Sequence, residues 1–134
     1  MLSTINRLIS KYSFHERVTI IPEIQKPTLY EYMLDSNIYM QLSYQESFGI
    51  GPIEAFSFYN KLIVSKLISS VNEFQLNQSK NVLIIENIKK IDRQRKDILS
   101  FVYRDPIISD FVNYNKLIRQ NIFDTVYLKS IVHE

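Results

Sequence analysis

The chain has 134 residues, 46% hydrophobic and 22% charged, which bounds it to one domain able to bury a core. Its formal charge of +2 is too small to argue for a nucleic-acid partner, and without cysteine it forms neither disulfides nor thiolate metal sites. No run of about 18 apolar residues occurs, and the start Met1-Leu-Ser-Thr-Ile lacks the apolar core of a signal peptide, so a soluble cytoplasmic protein is expected.

In chain order, Ile5, Leu8, Ile9 and Tyr12 fall on one face after Ser3 or Thr4, which predicts a short amphipathic helix over 3–12. Val18–Ile21 reads as a strand stopped by Pro22. After a loop over Glu23–Lys26, Pro27 opens a helix whose buried stripe is Leu29, Tyr30, Met33 and Leu34. Asn37–Leu42 is apolar and β-prone enough for a buried strand.

The next stretch, Ser43 to Ala55, holds both glycines of the protein, Gly49 and Gly51. Ordinary usage would give a chain of this length roughly nine glycines. Two in one loop therefore mark places where the backbone turns sharply or is closely approached. Pro52 suits the first turn of a helix, which places Glu54 in that turn as well. The amides from about Gly49 to Ala55, with the positive end of the helix dipole, form a site suited to phosphate or another anion. By itself, Glu54 also reads as a first-turn glutamate that favours the dipole.

Beyond the loop, Leu62–Ser65 and Val82–Ile85 read as strands, with irregular chain between them through Leu76–Lys80. Strands alternating with helices predict a parallel, Rossmann-like sheet of about four strands. Ile88, Ile91, Ile98, Leu99 and Val102 fit one face of a long helix ending near Arg104, before Asp105-Pro106. Two further helices are expected at about Ile107–Asn121 and Asp124–His133.

The run Ser43-x-x-Glu46-x-Phe48-Gly49-Ile50-x-Pro52-Ile53-Glu54-Ala55 resembles the E-x7-E signature of the retaining glycosyltransferases of family 4, whose fold is the two-domain GT-B. The resemblance extends over about residues 16–104. Upstream it includes Arg17-Val-Thr19 and Leu29-Tyr30-x-x-Met33-Leu34-Asp35-Ser36-Asn37-Ile38; downstream it includes Lys61–Ser65, Glu73 and Asn81–Ile84. It implies an α/β, three-layer half of a GT-B fold, truncated at its N-terminal side. Residues 1–104 would form the Rossmann-like core and 105–134 the C-terminal helices. It further implies that the chain binds a nucleotide-diphosphate sugar, with Glu46 beside the sugar hydroxyls as the catalytic acid. Glu54 would take the ribose hydroxyls, and Ser47, Phe48, Gly49, Ile50 and Gly51 would line the diphosphate cradle. Two vicinal hydroxyls donating to one acceptor-only carboxylate is sound chemistry. No metal and no cofactor beyond the donor itself is implied.

The sequence departs from the family pattern at several points. Ser47, Asn60, Ser69-Ser70 and Asn81 replace glycines, and Leu62 replaces a proline. Asparagine tolerates left-handed backbone, so Asn60 and Asn81 are expected to keep the same turns, whereas Ser69-Ser70 would intrude on a phosphate brought near them. The two strands that supply the family's diphosphate-binding arginine and lysine have no counterpart, and Arg7, Lys11 and Arg17 sit in no matching motif. The readings that follow are an incomplete enzyme completed by a partner subunit, and a non-catalytic interaction module or remnant. Lys89, Lys90, Arg93 and Lys96 form a basic run that reads either as a solvated helix face or as peripheral contact with a membrane. His15 and His133 have no metal-ligand spacing.

Overall fold

The computed structural model describes residues 1–45 and 48–132, the last twelve of these as helical backbone. The elements are α1 (Leu2–Lys11), α2 (Lys26–Asp35), β1 (Ile38–Gln41), α3 (Ile50–Ser57), β2 (Lys61–Ser65), α4 (Ser69–Glu73), β3 (Val82–Ile85), α5 (Arg95–Tyr103) and α6 (Ile108–Val132). Short 3₁₀ segments cover Leu76–Gln78 and Ile88–Gln94.

The sheet is parallel, in the order β1-β2-β3, with Ile38 opposite Lys61 and Leu62 opposite Val82. Its middle strand, Lys-Leu-Ile-Val-Ser, is buried at every position. That continuous apolar, β-branched run is what a strand covered on both faces requires. Alternation along β2 then sorts the core into two layers. Leu62 and Val64 pack with Met33, Phe56, Ile68, Leu76, Phe111 and Ile118, while Ile63 meets Ile85 and Phe101 on the opposite face. The larger layer is closed by α6 over α3, where the Phe56 and Phe111 ring centroids lie 4.8 Å apart.

Polar clamps fix the helices to the strand starts. Asn81 Nδ2 donates to the Ile107 carbonyl at 2.9 Å and to Asp110 at 3.1 Å, and its Oδ1 accepts the Ile107 amide at 2.9 Å. Ser79 Oγ joins the same knot through Asp110. Asn60 Nδ2 donates to the Met33 carbonyl at 2.7 Å, tying the start of β2 to α2. Lys61 reaches the opposite face, where Nζ donates to the carbonyls of Phe101, Val102 and Arg104 at 2.6, 3.2 and 2.5 Å and so caps α5. Burial, and then the nearby Arg104 charge, pull the Lys61 ammonium below the usual lysine range.

The three-layer α/β architecture expected from the sequence is present, with corrections. Val18–Ile21 forms no strand and pairs with nothing among the described residues; a parallel ladder needs a neighbour to hold it, so three strands stand where four were expected. The expected long helix is broken at Lys90, whose backbone is not helical (φ −122°, ψ 29°), and α5 begins only at Arg95. One continuous α6 replaces the two terminal helices. Ser69–Glu73, expected to be irregular, is the short helix α4. Leu34, expected in the buried stripe of α2, is exposed. Neither Asn60 nor Asn81 is left-handed; Tyr59 takes that conformation at φ 66°, and both asparagines serve as hydrogen-bond anchors instead.

Candidate functional site

The candidate site lies where β1 gives way to α3. Tyr39 and Gln41 share one face of β1, two residues apart, and Tyr39 Oη donates to Gln41 Oε1 at 2.7 Å. Gln41 Nε2 in turn reaches Ser43 Oγ at 3.3 Å. A Cβ on Gly51 would lie 2.5 Å from Tyr39 Oη, so the close approach that this glycine permits is that of a tyrosine hydroxyl. Gly49 answers the other need, a sharp turn, with left-handed backbone at φ 83°, ψ 71°.

The loop is fastened at both ends by serines of the neighbouring elements. Ser65 Oγ, at the end of β2, donates to the Ser43 carbonyl at 2.7 Å. At the start of α4, the Ser70 amide donates to the Phe48 carbonyl at 3.0 Å, and Ser70 Oγ donates to the Gly49 carbonyl at 2.6 Å. Ser69 Oγ also reaches the Phe48 carbonyl, at 3.4 Å. The two serines expected to intrude on a ligand are thus turned onto loop carbonyls, where they fix the loop's path into α3.

Helix α3 starts at Ile50, which places Pro52 in its first turn, as the sequence suggests. Its N-cap, Gly49, has no side chain with which to cap the first-turn amides, and Pro52 contributes no N–H, so the amides of Ile50 and Gly51 form the positive end of the helix. With that start Glu54 lies in the second turn, not the first, which removes the dipole as its main reason for being there. Its carboxylate is instead gripped from α2. Tyr30 Oη donates to Oε1 at 2.8 Å and Lys26 Nζ approaches the same oxygen at 3.2 Å; no described residue donates to Oε2. The hydrogen bond and then the charge of Glu54 raise the Lys26 ammonium above its ordinary range.

Phe48, Gly49, Ile50 and Gly51 therefore come together as one turn, with Glu54 a helical turn further on. Phe48 is half-buried against Phe74, ring centroids 6.3 Å apart, while Ile50 is exposed. Glu46, Ser47 and His133 lie outside the described residues. Lys89, Lys90, Arg93 and Lys96 are all exposed, on the 3₁₀ segment and the first turn of α5. Among the described residues, no helix is long and apolar enough to cross a membrane.

The partners of Glu54 lie outside the motif that contains it. The sequence carries a signal for them: Lys26 and Tyr30 are four residues apart and share a helix face, and the tyrosine placed in the buried stripe carries a polar tip that seeks an acceptor.

Residues 1–116 match the family model described as glycosyl transferases group 1, and the chain belongs to that family. No curated protein and no solved structure matches it.

Proposed function

We propose that this group 1 glycosyltransferase domain binds a nucleotide-diphosphate sugar for retaining, metal-independent glycosyl transfer. The diphosphate would sit on the amides of the Phe48–Gly51 turn, Glu54 would accept the ribose hydroxyls, and Glu46 would stand at the sugar. As an acceptor hydroxyl oxygen bonds to the anomeric carbon, the bond from that carbon to the phosphate oxygen would break, its electrons going to the diphosphate, which also takes the hydroxyl proton. The uncapped amides and the dipole of α3 favour that charge. The observation that carries the reading is the fixed carboxylate of Glu54: both of its bonds fall on Oε1, and Oε2 faces no donor from a described residue.

Completion by a partner subunit that supplies the N-terminal half belongs to this proposal, as does the treatment of residues 1–134 as part of a GT-B domain. Support comes from the outer edge of β1, which has no neighbouring strand among the described residues, and from Met40, Val18, Ile20 and Ile21, all exposed. A cytoplasmic location, with peripheral membrane contact through Lys89, Lys90, Arg93 and Lys96, is proposed on the exposure of that basic run.

A second reading, a non-catalytic interaction module, is favoured by the Lys26–Glu54 pair, since a lysine already occupies the acid meant for the ribose. Turnover of a panel of UDP- and GDP-sugars by wild type and Glu46→Ala separates the two. The enzyme reading predicts that Glu46→Ala abolishes turnover while the far-ultraviolet spectrum stays native. Turnover unaffected by that change contradicts it, as does failure of folded wild type to bind any donor of the panel.

A further inference from the structure

The geometry points to a second half of the anion site: a cleft at the carboxyl ends of β2 and β3 in which Lys66 and Lys89 bind a diphosphate. The inference rests on the proposed function only for the source of that group, the sugar donor.

β2 ends at Ser65 and β3 at Ile85, residues that face each other in the ladder. Lys66 and Glu86 are therefore the first side chains past two adjacent strands, at the end where open α/β sheets take their ligands. The cleft between them has a volume of about 250 Å³, and its walls include Tyr44, Lys66, Leu67, Glu86, Ile88 and Lys89. That is below the roughly 300–1,000 Å³ of sites for whole ligands, so it suits a fragment such as a diphosphate. The cleft is lined by two lysines and one glutamate, which leaves a positive balance. Lys66 Nζ lies 3.6 Å from Glu86 Oε2, with the two side chains 55% and 68% exposed. So open an ion pair is weak, and a doubly charged anion displaces the carboxylate at little cost. The Asn87 side chain accepts the Lys89 amide at 3.0 Å and so fixes the backbone that carries the second lysine.

The cleft also adjoins the motif loop. Tyr44 belongs to that loop, and the bond from Ser65 Oγ to the Ser43 carbonyl holds the shared wall. The sequence offered no basic residue in the donor motif, and Lys26 is committed to Glu54. Lys66 and Lys89 are cations that the loop-side cleft does supply, and they would complement the amides of the Phe48–Gly51 turn.

The test is calorimetric titration of the full chain with inorganic pyrophosphate, and separately with UDP and GDP, using wild type, Lys66→Gln, Lys89→Gln and Glu86→Gln. Lys116→Gln, an exposed change on α6, serves as the charge control. Each cleft lysine change is expected to weaken pyrophosphate binding about tenfold, Glu86→Gln to strengthen it, and Lys116→Gln to leave it unchanged. Pyrophosphate binding with that pattern, but no binding of UDP or GDP, supports the cleft and defeats the donor reading. Nucleotide binding that ignores both lysine changes overturns the cleft and leaves the donor reading standing. No pyrophosphate binding, or equal weakening by all three lysine changes, also overturns the cleft.

Discussion

Residues 2–21 and the sheet-forming core use the same kinds of side chain and end in opposite environments. Ile5, Leu8, Val18, Ile20 and Ile21 are 36–44% exposed, whereas Leu62, Ile63, Val64 and Ile68 have no exposed surface at all. Ile9 is the one buried residue in α1. Apolar pattern sets which face of an element seeks burial, but a neighbouring element must be present to receive it. The core has such neighbours on both faces of β2. Val18–Ile21 has no neighbouring strand among the described residues and stays unpaired. The apolar faces of the core meet one another, whereas those of the first segment stay largely open to solvent.

The sharpest way to break this contrast is a pair of truncations compared by thermal or denaturant unfolding. Phe56→Ala empties a fully buried site against Phe111 and Tyr114 and is expected to cost about 3–5 kcal/mol. Ile5→Ser is expected to shift stability by no more than about 0.5 kcal/mol. Comparable losses from the two would mean that α1 is docked, and the contrast would fail. Asn81→Ala comes next, at about 2–3 kcal/mol, because it strips the Ile107 amide and carbonyl and Asp110 of a buried partner. A loss below about 0.5 kcal/mol would show that the Asn81 clamp adds little to the packing that holds α6.

Gly51→Ala probes the site within the core. The added methyl meets Tyr39 Oη, and a loss of about 1–2 kcal/mol is expected. Tyr39→Phe in the same chain should recover part of that loss, a non-additivity measured by the double-mutant cycle. Strictly additive losses would place the strain elsewhere.

The smallest effect is in pH. Lys61 is lowered from 10.5 by burial, so just below that value the unfolded chain binds more protons and stability rises with pH. Lys26 is raised from 10.5 by Glu54, so its contribution is present below 10.5 and lost as pH climbs past it. Unfolding followed across the alkaline range should therefore show a shallow maximum near 10.5. Lys61→Met should remove the rising limb and Glu54→Gln should blunt the falling one. A monotonic fall from neutral pH would contradict the Lys61 assignment.

How much was legible in the sequence follows from what each residue's role depends on. β2 and β3 were readable because a run such as Leu-Ile-Val has one good environment, and the glycine pair announced a turn and a close approach before either could be assigned a partner. Pro52 does lie in the first turn, but a proline is tolerated throughout that turn and so does not fix the start; with the helix beginning after Gly49, Glu54 falls in the second turn. Asn60, Asn81 and Lys61 were misread or passed over because a polar residue's role depends on which distant carbonyl lies within reach, and Met33, Ile107 and Phe101 are 26 to 40 residues away in sequence. The Lys26–Tyr30 grip on Glu54 was hidden for the same reason: it joins two helices whose relative placement only the sheet decides.

Glu54, held by Tyr30 and Lys26, is proposed to receive the ribose of a nucleotide. Calorimetric titration of the chain with UDP and GDP, with Glu54→Ala alongside, tests it most directly. The account predicts binding in the micromolar to millimolar range that Glu54→Ala weakens at least about tenfold, as loss of a charge-assisted acceptor requires. Binding of equal strength by a folded Glu54→Ala variant, or no binding by folded wild type, would contradict it.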